Sequence, residues 1–412
     1  MTPKTVFRAI IVGGGPAGLF CAIHASSGYG DILLIEKNPG PGRKLLITGS
    51  GQCNITHGGA IRDFLSHYGE HGRFITPALL NFPNSSLTLF FKERGLETLE
   101  TEGGKIFPVS WKSQDVLSVL VKECQSKGTW LIFNEPVTCI CREDDVFRVE
   151  TGSGRYYGRN VVIATGGITY PETGSTGDGY RFARSCGHTV TETAPALTPV
   201  IIEEFPFADL PGISFRQASI TVRRGGAVAG SGTGDLLFTH RGLSGPGVLD
   251  CSRYIRAGDV LNVSFVPVSD RARLETDLMK MMNENPVSRI AGIITSLGLP
   301  ERFVSSLLAV TGIPAAVTCS HISRQQRKDI IGALMAFPFT VQSLGGPREA
   351  MVTRGGVHLP EINPKTMESR LVPGMFFIGE VLDIDGDTGG YNLQAAFSTG
   401  YLAGITIRDS DT

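Results

Sequence analysis

The sequence predicts an α/β fold: a Rossmann-like domain with a parallel sheet, interrupted by a β-rich module that is itself interrupted by helices. Three observations predict it. Residues 6–12 (VFRAIIV) form an apolar run that stops at Gly13-Gly14-Gly15. From Pro16 a helical pattern of Ala17, Leu19, Phe20 and Ile23 follows, and residues 31–36 (DILLIE) form a second apolar run. Strand, glycine turn, helix and strand make a βαβ unit, which implies a parallel sheet. The hydrophobic pattern then changes character near residue 190, and α/β character returns only after residue 345.

Bulk composition agrees with several folded domains. At about 150 residues per domain, the 412 residues give two or three. Hydrophobic residues at 41% and charged residues at 19% exclude both a disordered chain and an integral membrane protein. Lys+Arg 38 against Asp+Glu 39 leaves a formal charge of -1, so no overall field draws in nucleic acid or an anionic membrane. Neither partner is expected. The 52 glycines exceed the usual ~7% share and cluster in loops, where they serve backbone geometry. The eight cysteines contain no C-x-x-C, which excludes a zinc ribbon or a thioredoxin-like pair and fits a reducing cytoplasm. No apolar stretch reaches the ~18 residues of a membrane span.

After the βαβ unit, residues 38–59 are irregular and glycine-rich, too long for a simple connection and therefore functional in expectation. Helices are expected at 77–94 and 113–127, and strands at 129–133, 136–141, 146–150 and 160–165 (NVVIAT). Residues 217–223 and 226–229 flank Gly225-Gly226 as a hairpin. The run 259–268 alternates as a half-buried strand. Helical patterns follow at 271–283, 287–297, 301–311 and 323–336, the last with Ser323 as N-cap. Strands at 338–343 and 375–380 and a helix at 391–404 complete the chain. The domains expected are 1–190 with 353–412, then 191–268 with 338–352, and a helical module at 269–337.

Gly13-x-Gly15-x-x-Gly18 lies between a strand and a helix, and Glu36 ends the next strand close to the ~20 residues expected of a ribose-binding carboxylate. Gly13 permits the tight turn, Gly15 lets the main chain approach a pyrophosphate, and Gly18 allows close helix–strand packing. The helix start offers N–H groups to phosphate, and Pro16, Ala17 and Lys37 flank the contact. The choice of FAD over NAD rests on the distal motifs. Ala164-Thr165-Gly166 ends one strand and Gly379-Glu380 another; Glu380 is placed to take ribityl hydroxyls. Gly389, Gly390, Tyr391 and Asn392 open a helix whose N–H groups would face the flavin edge. No second full fingerprint accompanies them, so a dedicated NAD(P)H domain is not expected.

The segments 42–57 (GRKLLITGSGQCNITH), 163–180, 238–250 and 349–400 resemble the BaiN/YhiN-like flavoproteins in content and order. That family includes aminoacetone oxidase-like enzymes and dehydro-bile acid reductases. The resemblance implies a two-dinucleotide-binding-domain FAD fold with an inserted β-barrel and a helical interdomain module. It also implies that Arg43, Lys44, Gly51, Cys53 and Asn54 lie near FAD and that Val137 lies in the strand meeting the adenine. The chain departs from the family at Gln52 and Lys105, where arginines are usual.

Flavin moves a hydride through N5, while the protein supplies orientation and electrostatics. His240, in Thr239-His240-Arg241-Gly242, is the candidate proton donor or acceptor; its alternative role is bracing a loop. Cys53 reads as a packed or FAD-contacting thiol. His57, His67 and His71 lack a further ligand, and the alternating Asp383, Asp385 and Asp387 read as turn caps, so no metal is expected. The expected function is an FAD-dependent oxidoreductase acting on a small or medium organic substrate, as a reductase or dehydrogenase of an activated C=C or C–N bond. Its electron partner would be diffusible NAD(P)H or oxygen. The alternatives are a flavin amine oxidase, an RNA-modifying flavoprotein and a non-catalytic flavin-binding protein. Oligomeric state is not legible.

Overall fold

β1 (Val6–Val12) is apolar on both faces and buried from Ala9 onward, so it belongs in the middle of a sheet covered on both sides. The computed structural model, which describes residues 5–266 and 270–410, places it there. β2 (Ile32–Ile35) runs parallel on one side of it and the strand Arg155–Ile163 parallel on the other. The strand Trp130–Ile132 extends the sheet beyond β2. Arg155–Ile163 does two jobs. Its first half carries the antiparallel strands Val146–Thr151 and Val137–Glu143, and its second half pairs in parallel with Met375–Phe377.

The helix α1 (Pro16–Ala25) starts where Gly15 leaves an extended conformation and Pro16, lacking an N–H, opens the first turn without losing a bond. It packs against the helix Tyr391–Asp409 through small residues. A Cβ on Gly400 would lie 2.5 Å from the Ala17 carbonyl oxygen. That helix therefore completes the layer begun by α1, although it comes from the far end of the sequence.

The chain divides into one unit of residues 1–195 with 351–412 and a second of residues 196–350. The second is a closed six-stranded barrel in the order Val200–Ile202, Gly242–Ser244, Ala227–Phe238, Ser214–Arg224, Val260–Ser264 and Phe337–Leu344. Alternation along Phe337–Leu344 points Phe337, Phe339 and Val341 inward, as period-2 patterning requires. The helices Arg271–Glu284, Ile290–Thr295, Glu301–Val310 and Arg324–Met335 share the barrel's hydrophobic core, with Phe303 among Phe207, Phe215, Phe238 and Phe265. The helical stretch expected as a module of its own is thus counted with the barrel. Ser323 caps its helix in a capping box with Gln326.

Two expectations shift in detail. The single helix at 77–94 is two, Gly72–Asn81 and Asn84–Lys92, because Pro83 forces Phe82 out of the helical region. The strand expected at 259–268 spans Val260–Ser264, and its residues 267 and 268 lie outside the described residues. Among the described residues no helix is long and apolar enough to cross a membrane.

Candidate cofactor and active site

β1, Arg155–Ile163 and Met375–Phe377 end level, with Val12 beside Ile163 and Ile163 beside Phe377. Gly13, Ala164 and Gly379 follow at the same carboxyl edge, where open α/β sheets bind ligands. Gly13 has φ +112°, and a Cβ there would lie 2.4 Å from the Ala164 oxygen; on Gly18 it would lie 2.1 Å from the Gly13 oxygen. Gly15 differs: nothing lies within 4 Å of its Cβ position. Its backbone borders open space at the start of α1.

The Glu36 carboxylate accepts bonds from the Gly14 N–H at 2.7 Å and from the Asn38 backbone and side-chain amides at 2.9 and 2.7 Å. It is thereby fixed beside the glycine turn. The backbone of Glu135 donates to the Glu36 carbonyl, which brings the start of Val137–Glu143, and with it Val137, alongside Glu36. Lys37 is the next residue. Its Nζ bonds Thr176 Oγ1 and Asp178 Oδ2, both at 2.6 Å. Burial draws the Asp178 pKa upward, but the Lys37 bond and charge outweigh it and leave the carboxyl below its ordinary value.

The irregular stretch holds a short helix, Arg43–Ile47, and a tight turn in which Gly49, Ser50, Gly51 and Cys53 all have positive φ. Cys53 is fully buried, and burial pushes its thiol up to about 12. It packs in the core. Arg43 Nη1 donates to Asn38 Oδ1. Lys44 Nζ lies 2.8 Å from Glu380 Oε2 and 2.7 Å from Thr169 Oγ1, and Glu380 also accepts from the Thr353 N–H at 3.0 Å. Two buried polar atoms, Asn54 Oδ1 and Thr165 Oγ1, have no protein partner. Unsatisfied buried groups of this kind are costly. A bare glycine backbone, a fixed carboxylate and two waiting polar atoms fit a dinucleotide carrying phosphate and ribose.

Gly389 and Gly390, at φ +116° and +101°, turn the chain into the helix Tyr391–Asp409. Gly390 is pressed on Thr56, whose hydroxyl donates to Gln394 Oε1 at 2.6 Å. Asn392 closes the loop by exchanging bonds with the Gly386 backbone, both at 2.8 Å. Tyr391 lies between two imidazoles, with ring centroids 5.1 Å from His57 and 4.0 Å from His67 and planes within 15° and 13°. His67 Nδ1 is 2.9 Å from Asp387 Oδ2, and Tyr68 donates to the Tyr391 carbonyl. His57 and His67 thus frame an aromatic stack, and no group of metal-ligating side chains is assembled among the described residues.

His240 sits in the exposed turn between Ala227–Phe238 and Gly242–Ser244 of the second unit. Thr239, not His240, braces that turn by bonding Gly242. Thr56, Thr169, Thr353 and Gln394 were invisible in the sequence, since each meets its partner only through the fold.

Residues 7–406 match the family described as HI0933-like protein Rossmann domain. The chain is 31% identical over 405 residues to a 3-dehydro-bile acid delta(4,6)-reductase of Clostridium scindens, covering 96% of this chain and 98% of that protein. It is also 31% identical over 396 residues to a ribosomal RNA dihydrouridine synthase of Escherichia coli, with 96% of each covered. Among solved structures, a 3-ketosteroid delta1-dehydrogenase from Sterolibacterium denitrificans superposes with TM-score 0.52 at 12% identity, over 99% of this chain and all of that one. The last comparison speaks to fold alone. With the motif order, the strand-end geometry and two near full-length relatives in agreement, the chain belongs to the HI0933-like Rossmann-domain family.

Proposed function

We propose that this protein is an FAD-dependent oxidoreductase that reduces a carbon–carbon double bond conjugated with a carbonyl. The observation that carries the cofactor reading is the level ending of three parallel strands, with the open Gly15 backbone on one and the Lys44-held Glu380 beyond another. Support for the reaction comes from the relatives. The bile acid reductase and the dihydrouridine synthase are both named for chemistry that saturates such a bond.

Bound FAD supplies hydride transfer through N5. The N–H groups at the start of α1 would hold the pyrophosphate, Glu36 would accept from the adenosine ribose, and Glu380, oriented by Lys44, Thr169 and the Thr353 N–H, would accept from the ribityl chain. Saturating an enone-like bond also consumes a proton. His67, with Nδ1 held on Asp387 and its ring stacked on Tyr391, is the residue built to hold and deliver one. His240, exposed and without a hydrogen bond among the described residues, is the weaker donor.

The synthase relative favours a second reading for the substrate, a uridine in RNA, against which the formal charge of -1 offers no general attraction. One experiment separates the readings. Reconstituted protein is mixed anaerobically with NADH, NADPH or an amine panel, and then with a 4-en-3-one steroid, a ribosomal RNA transcript, or air. Bleaching of the flavin by a pyridine nucleotide and recolouring by the steroid or the transcript supports the proposal and identifies the substrate class. Bleaching by an amine with recolouring only by air overturns it in favour of an oxidase. An Asp387→Asn variant should slow the recolouring and shift its pH profile without changing flavin content.

A further inference from the structure

The strand Val137–Glu143 carries a pair of thiols that the cofactor site does not use. Cys139 and Cys141 flank the buried Ile140, so period-2 geometry sends both side chains from the opposite face, where both are partly exposed. Their sulfurs are 3.1 Å apart. Cys21, Cys53, Cys124, Cys251 and Cys319 are buried, and Cys186 stands as a third partly exposed thiol.

The surroundings differentiate the two sulfurs. Across the ladder Arg148 pairs with Cys141, and Glu150 with Cys139. The Arg148 guanidinium holds its proton more firmly because of the Cys141 side chain first, and then the Glu143 and Glu150 carboxylates. Cys139 is pushed up, first by its hydrogen bond to Cys141 and then by burial, and either sulfur can donate across the contact. The Arg148 cation thus stands opposite Cys141, a setting that favours that sulfur as the attacking one. The register also slips between Val137 and Cys139, which leaves the backbone beside Cys139 free of strict pairing. A disulfide needs sulfurs about 2.05 Å apart, so closure asks for an approach of about 1 Å at an already irregular point.

We propose that Cys139 and Cys141 form a reactive dithiol that a peroxide oxidises to an intrastrand disulfide. The Cys141 sulfur, giving up its proton, attacks one oxygen of hydrogen peroxide. The O–O bond breaks, Cys141 becomes a sulfenic acid, and the departing hydroxide takes a proton to become water. The Cys139 sulfur then attacks the sulfenic sulfur, the S–S bond forms, the S–O bond breaks and a second water leaves. The protein gives up two electrons and two protons, and the peroxide becomes two waters. A thiol reductant reverses the change. This site stands apart from the reductase reading.

The test uses the full chain. After limiting hydrogen peroxide, free thiols are alkylated, and the peptide holding residues 139 and 141 is weighed. The expected result is a peptide two hydrogens lighter, unalkylated, and restored by dithiothreitol, while the peptide with Cys186 is alkylated throughout. Cys139→Ser should stop at a sulfenic acid that dimedone traps on Cys141, and Cys141→Ser should leave Cys139 reduced. Should Cys139 and Cys141 be alkylated as readily as Cys186 after peroxide, or Cys139 oxidise in Cys141→Ser, the proposal fails. Phenylarsine oxide gives a readout independent of any variant. One phenylarsenic bridging the reduced wild-type pair confirms the juxtaposition, and its absence overturns it.

Discussion

Replacing Gly15 by alanine should separate cofactor binding from folding. Gly15 has φ −75° and ψ 178°, an extended conformation open to any residue, and its Cβ position has nothing within 4 Å. In the apoprotein the substitution therefore costs nothing sterically. By restricting the unfolded chain it should add about 0.4–1 kcal/mol of stability. In the holoprotein the new methyl group occupies the space a pyrophosphate needs to approach the backbone. A lost hydrogen bond to a charged group costs about 1.5–3 kcal/mol, which at about 1.4 kcal/mol per decade is roughly ten- to a hundredfold in affinity. Titrating apoprotein with FAD and following the quenching of flavin fluorescence measures the affinity, and thermal melts of the apoprotein measure the fold. Gly18→Ala is the contrast, because its Cβ would overlap the Gly13 oxygen at 2.1 Å and the fold itself should suffer. If Gly15→Ala holds FAD within about twofold of wild type, or if its apoprotein melts as early as Gly18→Ala, the assignment of the open turn to the pyrophosphate is wrong.

Three further outcomes are expected. His24 lies among Phe20, Phe82, Phe90 and Tyr401, and burial, with lesser help from Arg94, Arg408 and Lys127, pushes its imidazole down to about 3 from 6.5. Between those values the unfolded chain binds a proton that the native one refuses. Stability present above pH 6.5 is thus lost as pH falls, by up to about 1.4 kcal/mol per unit, and denaturant titrations of His24→Phe should show a shallower decline. Asp178 is depressed below 3.8, so its contribution is complete above that pH and fades as pH drops through the lowered value. Lys37→Met should therefore move the acid-unfolding midpoint, followed by circular dichroism, to higher pH. Gly390→Ala puts a side chain at φ +101° and 2.5 Å from the Thr56 carbonyl; urea unfolding should register a loss of roughly 1–3 kcal/mol, with weaker FAD binding.

Legibility followed sequence distance. β1 (Val6–Val12), the start of the helix at Tyr391 and the Ser323 cap were readable because each is written in consecutive residues. Gly13, Gly15, Gly18 and Glu36 were readable for the same reason: one βαβ unit carries turn, helix and carboxylate. The bonds that organise the rest of the site span the chain. Lys44 reaches Glu380 across 336 positions, Thr56 reaches Gln394 across 338, and His67 reaches Asp387 across 320. Periodicity reports on neighbours only, so it could name Glu380 without its cation, and His57 and His67 without the tyrosine between them. Lys37, expected at the cofactor, also reaches far along the chain: its Nζ meets Asp178, 141 positions away. The helix at 77–94 was over-read because apolar spacing continues across Pro83, which the backbone does not tolerate.

The strand Met375–Phe377 and the helix Tyr391–Asp409 set a timetable for the nascent protein. At 5–20 residues per second, roughly twenty to seventy seconds pass between emergence of the first glycine turn and of the strand that closes its sheet. The uninterrupted barrel of residues 196–350 is fully translated inside that interval, while the second half of Arg155–Ile163 waits for its parallel partner. A ribosome stalled before residue 375 would therefore display that strand's open edge, a template for aggregation.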